Sequence, residues 1–308
     1  MSNEYVNNHI VPKSYLNRFG KKNKDKYVIG TMKRCKDKPK LFLQTTDNVG
    51  FIKNYYDVTN KTDPKYWEHY FAEKIDSLCG EPMKNLIAKI TLSQNNTIVL
   101  SNNDRRILSE LIVSQLMRVP DSINYIRDKI YPKTSKKVKD SFRNLLPKTT
   151  VDKFDKQLRE MELSEQAQKE IILEHVFKVD NFNKYCNILE NKVWVVYYNL
   201  KSDSLPFVTS DNPVLIEGIG KKKTGLFHNG LANPTTCIFY PINPCIAIAI
   251  YSKDGIVGMS ENNINGRKQL LNDEKFITLK NIKIIEQSYH HSFIPTSLYN
   301  FLFQELNK

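Results

Sequence analysis

The sequence predicts an α+β fold: a small mixed sheet made from the N-terminal and C-terminal parts, with a large helical middle region. Three observations carry this. Runs rich in β-branched and aromatic residues cluster near the start and again from Val193 onward. Between them apolar residues recur at helical spacing. The early strands are too few to stand alone, so they are expected to pack with the late ones. The 308 residues read as one domain in three parts. These are 1–60 (a helix and strands), 61–192 (helical) and 193–308 (an α/β part packing with 1–60).

In chain order, a short helix is expected after His9. Pro12 suits a first helical position, and Tyr15, Leu16 and Phe19 share its face at offsets of three, four and seven. Gly20 is placed to end it in a left-handed cap. The run Lys21 to Lys26 reads as a solvated loop. Strands follow at 27–32 and 41–45, turning at Asp37-Lys38-Pro39. Asp63-Pro64 opens a helix with Trp67, Phe71, Ile75 and Leu78 on its buried stripe, resuming after Gly80 and Pro82 at 83–90. Ser101-Asn102-Asn103-Asp104 caps a second long helix to Arg118, and helical patterns recur at 151–177 and 181–192. Late strands are expected at 193–198, 207–209, 237–241, 246–251 and 276–279, with helices at 261–271 and 297–306.

Composition narrows the partners. Lys and Arg total 46 against 33 Asp and Glu, a net charge of +13 that favours a polyanion such as DNA or RNA. The five cysteines, Cys35, Cys79, Cys186, Cys237 and Cys245, form no C-x-x-C pair, which fits a reduced cytoplasmic protein with buried thiols. No basic start leads into an apolar run, and the longest apolar stretch is too short to span a bilayer, so no membrane association is expected. The phosphate-loop, dinucleotide, G-x-S-x-G and H-E-x-x-H patterns are missing. Oligomeric state is not legible.

The motif His9-x-x-Pro12-x-x-Tyr15-Leu16-x-x-Phe19 resembles the opening of the bacterial proteins grouped as domain of unknown function 4238. Further fragments fit that resemblance in the same order: Asn54-Tyr55-Tyr56, a helix with Glu68 and Asp76, Gln115-x-x-Arg118-x-Pro120, Thr209-Ser210-Asp211-Asn212-Pro213, Tyr240-Pro241-Ile242-Asn243-Pro244, and Asn262-Asn263-Ile264-Asn265. The family supplies positions rather than chemistry.

Read as chemistry, three motif residues are candidate catalytic groups. His9 is suited to proton transfer or metal ligation; alternatively it fixes the chain entering the helix. Arg118 continues an apolar helix face with Gln115, and its fork suits phosphate; alternatively it makes an internal Arg–Asp pair. Asp211 ends a strand, where it would orient His9 or a metal; alternatively it closes an Asx turn. Tyr15, Gln115, Asn212 and Asn265 are candidate binding residues. Glu68 and Asp76 are weaker candidates for holding Mg²⁺ or Mn²⁺, against a solvated acidic face. His290-His291 is a doublet whose side chains point apart on a strand.

The leading expectation is a nuclease-like enzyme hydrolysing phosphodiesters, a defence or toxin-type effector. Lysines at 21–26, 133–139 and 221–223 would steer the nucleic acid. The alternatives are a non-catalytic module binding nucleic acid or protein, and a hydrolase of a small anionic metabolite. Convergence of His9, Arg118 and Asp211 in an open cleft would favour catalysis. A sealed interior would favour architecture.

Overall fold

Strand β6 (Val193–Asn199) is buried along most of its length and organises the C-terminal sheet. In the computed structural model this sheet runs β11-β6-β10-β9-β8, with β8 (Leu215–Gly218), β9 (Thr236–Pro241), β10 (Ile246–Tyr251) and β11 (Arg267–Leu271). The β11–β6 pair is parallel and the other pairs are antiparallel. Described are residues 7–33, 39–58, 61–130, 164–218, 230–253 and 260–306, with isolated positions between 132 and 156.

Apolar side chains leave both faces of β6, as expected of a strand covered on two sides. Trp194 and Val196 join a core shared with the helices Asn102–Arg118 and Val179–Glu190 and with Tyr15, Leu16 and Phe19 of the opening motif. Val193 and Val195 join a second core with Ile277 and Ile284 of the helix Glu274–Glu286. The sheet is therefore a middle layer between two sets of helices.

A second sheet unites the two ends of the chain. β12 (His291–Ile294) lies between β3 (Lys26–Lys33) and β7 (Thr209–Ser210). β2 (Lys21–Asn23) shares an edge of β3 with β12, and β4 (Lys40–Thr45) takes the other edge. All its pairs are antiparallel; the mixed sheet is the C-terminal one. β1 (Asn7–His9) pairs separately with β5 (Phe51–Lys53).

Several expectations need correction. The opening helix is one turn, Lys13–Leu16, with Pro12 ahead of it as the cap residue. Gly20 is not left-handed; the positive-φ glycines described are Gly50 and Gly266. The Lys21–Lys26 run is an exposed hairpin turning at Lys24 (φ 53°) rather than a loop. The second helix begins at Tyr66, not at Pro64. The expected helix at 261–271 is a single turn, Glu261–Ile264, followed by β11, because Gly266 (φ +73°) turns the chain. The expected strand at 276–279 lies inside the helix Glu274–Glu286, whose Asp273 cap accepts from Phe276 N at 3.0 Å. The strand expected at 207–209 is only Thr209–Ser210, and β8 was not anticipated. The Ser101–Asp104 capping box is present as read. The Asp37-Lys38-Pro39 turn, Cys35, Lys221–Lys223 and much of 131–163 lie wholly or partly outside the described residues. Among described residues no helix is long and apolar enough to cross a membrane.

Candidate functional site

His9 ends β1, opposite Phe51, and its ring meets the Phe51 ring edge-on at 6.0 Å. The chain then turns under Gly50, whose carbonyl accepts from Ile10 N at 2.9 Å and Val11 N at 3.2 Å. Gly50 must be glycine: its φ is +72°, and a Cβ would stand 2.8 Å from Leu16 Cδ1. Packing behind the motif thus fixes where His9 points.

Asn8, fully buried, ties this strand to the helical middle. Its Nδ2 donates to Glu68 Oε2 at 3.0 Å, and its Oδ1 accepts from Tyr56 N at 3.0 Å. Glu68 and Asp76 flank a wide π-type turn, Phe71–Ile75, set between the α-turn Tyr66–Tyr70 and the 3-10 turn Asp76–Cys79. A π turn adds one residue to the helical repeat, so an offset of eight behaves like an offset of seven. That brings both carboxylates to one side. Glu73, within the π turn, is exposed.

Arg118 ends the long helix Asn102–Arg118 with no exposed surface. Its Nη1 donates to Asp76 Oδ1 at 3.0 Å, and the guanidinium lies 5.2 Å from the centre of the Phe71 ring. With its amide oxygen turned toward Arg118, buried Gln115 accepts from Nε at 3.2 Å and Nη2 at 2.5 Å. The two polar residues on the apolar stripe therefore satisfy one another, with Asp76 supplying the charge.

The electrostatics follow from burial. Desolvation pushes the His9 imidazole below its ordinary 6.5; the Asp76 carboxylate opposes this and Arg118 adds to it. His9 is therefore neutral at pH 7. Its Nε2 is buried and makes no hydrogen bond among the described residues. The Tyr56 hydroxyl is in the same condition, close enough to feel Arg118, Asp76 and Glu68. Burial raises Glu68; Asn8 opposes this and Asp76 reinforces it. Burial likewise raises Asp76 against the pull of Arg118. Asp76 nonetheless remains the anion at pH 7, since a neutral partner would strand a sealed guanidinium at a cost of about 3–5 kcal/mol.

Asp211 does not join this centre and Arg118 is sealed, so the expected convergence of His9, Arg118 and Asp211 in an open cleft is not met, and a catalytic reading rests on His9 without them. Its Oδ1 accepts from Tyr289 N at 2.7 Å, and its Oδ2 accepts from His290 N at 2.7 Å and His291 N at 2.8 Å. Neither His9 nor a metal is what it orients; it fixes the loop entering β12. This is also not the Asx turn foreseen, because the amides come from a distant segment. The binding candidates are bonded internally too. Tyr15 Oη donates to Pro241 O at 2.7 Å and lies 2.8 Å from Thr209 Oγ1. Asn212 Nδ2 donates to Gln287 O at 3.2 Å, and Asn265 Oδ1 accepts from Trp194 N at 3.1 Å. Arg18 donates to the Cys79 carbonyl.

Glu68 and Asp76 do not complete a metal site: among described residues no group of three or more His, Cys, Asp or Glu side chains is arranged to hold an ion. Sequence reasoning missed Asn8 and gave Tyr56 no role beyond its place in the Asn54-Tyr55-Tyr56 fragment. Asn8 directly precedes the opening motif, but only the folded chain shows which neighbours the two meet.

No curated protein and no solved structure matches this chain. The family model described as "Protein of unknown function (DUF4238)" matches residues 7–297, and the chain belongs to that family.

Proposed function

We propose that the chain hydrolyses nucleic-acid phosphodiesters, with His9 as the proton-transfer group. The observation that carries the reading is the neutral His9 ring, whose Nε2 has no partner among the described residues and lies beside the Asp76–Arg118 pair. A neutral imidazole near pH 7 is suited to act as a general base. Glu68, its carboxyl raised by burial and by Asp76, is the candidate to return a proton. Arg118 does not clamp phosphate in this scheme. Asp76 and Gln115 hold it, and it positions the site. The net charge of +13 would draw the polyanion. Purified protein incubated with DNA and with RNA, each with and without Mg²⁺ or Mn²⁺, tests this. Cleavage should fall about 100-fold or more in His9→Ala. Cleavage at the same rate in the mutant removes His9 from the mechanism.

A non-catalytic module that binds nucleic acid is the second reading. Its support is that Arg118, Asp211, Tyr15, Asn212 and Asn265 are all bonded within the protein. Retention of nucleic acid without turnover in the same experiment favours it.

A further inference from the structure

The end of β10 meets the start of β6 at a polar hollow that shares no residue with the His9 centre. Tyr251 pairs with Val193, so the next residues along, Ser252 and Lys192, come side by side at the sheet end. Lys192 is 8% and Ser252 6% exposed. Lys192 Nζ donates to Ser252 Oγ, and Ser252 Oγ donates to Asn233 O at 3.0 Å. Both side chains line a hollow of about 390 Å³, bounded also by Asn191, Pro234 and Lys253. It continues, through Ile188 and Asn191, into a second hollow of about 440 Å³ along the helix Val179–Glu190.

A buried lysine normally finds an anion. Here the partner is a hydroxyl. Desolvation lowers the Lys192 amine, and among the described residues the ionisable neighbour opposing this is the Cys237 thiol. That thiol is itself pushed up to about 11 by burial, so it stays neutral at pH 7. Lys253, on the rim, pairs with Glu261 at 3.5 Å and adds no anion at Lys192. An amine so placed is eased toward its free-base form, the form that accepts a proton.

We propose that Ser252 and Lys192 form a Ser–Lys dyad for acyl transfer, acting on an ester or amide whose acyl part bears an anionic group. Rotation of the Ser252 hydroxyl exchanges the Asn233 carbonyl for the Lys192 amine. Ser252 Oγ then bonds to the acyl carbon as its proton passes to Nζ. The bond to the leaving group breaks, and that group departs with the proton from Nζ. Water next attacks the acyl-enzyme, gives its proton to Nζ, and releases the acid as Ser252 recovers its hydrogen. Lys184, which lines the adjoining hollow with Asp180, and Lys253, on the rim with Glu261, are the cations that would meet the anionic end.

The test is a fluorophosphonate probe on the full-length protein, with the adduct mapped by peptide mass spectrometry. The adduct is expected on Ser252 and absent from Ser252→Ala. Labelling should slow about 100-fold in Lys192→Met, and in the native chain it should rise with pH as Nζ deprotonates. A folded native protein that leaves Ser252 unlabelled overturns the dyad. So does labelling of Lys192→Met at the native rate. The first readout uses the unsubstituted chain, so a variant that fails to fold does not shield the proposal. Loss of nuclease activity in His9→Ala bears on neither outcome.

Discussion

Arg118 and Asp211 are both buried charges drawn from motif fragments, and they are satisfied in different ways. Asp211 is held by three main-chain amides of one segment. Arg118 is held by side chains, Asp76 and Gln115, from its own helix and a distant irregular one. Main-chain donors cannot titrate or move without unmaking the loop, so the Asp211 knot is architectural. Side-chain partners carry protonation states, and beside Arg118 the buried His9 Nε2 and Tyr56 hydroxyl have no hydrogen-bond partner among the described residues. The proposed chemistry rests on the second kind of charge.

Four measurements break or sharpen that contrast. Arg118→Met leaves the Asp76 charge without its buried partner and should cost about 3–5 kcal/mol in urea unfolding. The double variant with Asp76→Leu should recover part of the loss, because it removes both charges. Asp211→Ala strips acceptors from three amides and should cost about 3 kcal/mol. It should leave the His9 titration where it was; a shifted His9 would mean the two charges are coupled after all. Gln115→Leu, which removes the acceptor for two guanidinium donors, should cost roughly 1–3 kcal/mol. The smallest effect concerns His9. Its ring should titrate below 6.5 by NMR, and lower still in Asp76→Asn, where the opposing carboxylate is gone. Because the folded value is depressed, the stability His9 contributes is complete above pH 6.5 and is lost as pH falls through the folded value. A ring titrating above 6.5 would place His9 with the fixed, partner-satisfied groups.

Much of the architecture was legible. Strands such as β6 and β10 and the capped helix after Ser101 announce themselves through local composition. The errors lie where a local signal was overridden. The helical spacing from Glu261 continues smoothly into Leu271, but one left-handed glycine breaks it and a parallel partner converts the remainder to strand. The run Phe276 to Leu279 holds an aromatic and two β-branched residues, yet the Asp273 cap ahead of it decides the matter. In the candidate site, the reason for a polar Arg118 on an apolar stripe was readable, and an Arg–Asp pair was among the options. Its partner was not identifiable, since Asp76 lies 42 residues away beyond a π turn that spoils any count at 3.6 per turn.

The position of β12 has a consequence for biogenesis. The strand that completes the sheet begun by β3 is made of residues 291–294, so during synthesis the early hairpin must wait for nearly the whole chain to leave the ribosome. Until then β3 offers an open edge to any extended neighbour. A chain cut short before Tyr289 would lose both that strand and the amides that neutralise Asp211, and should accumulate as aggregate rather than as a smaller folded protein.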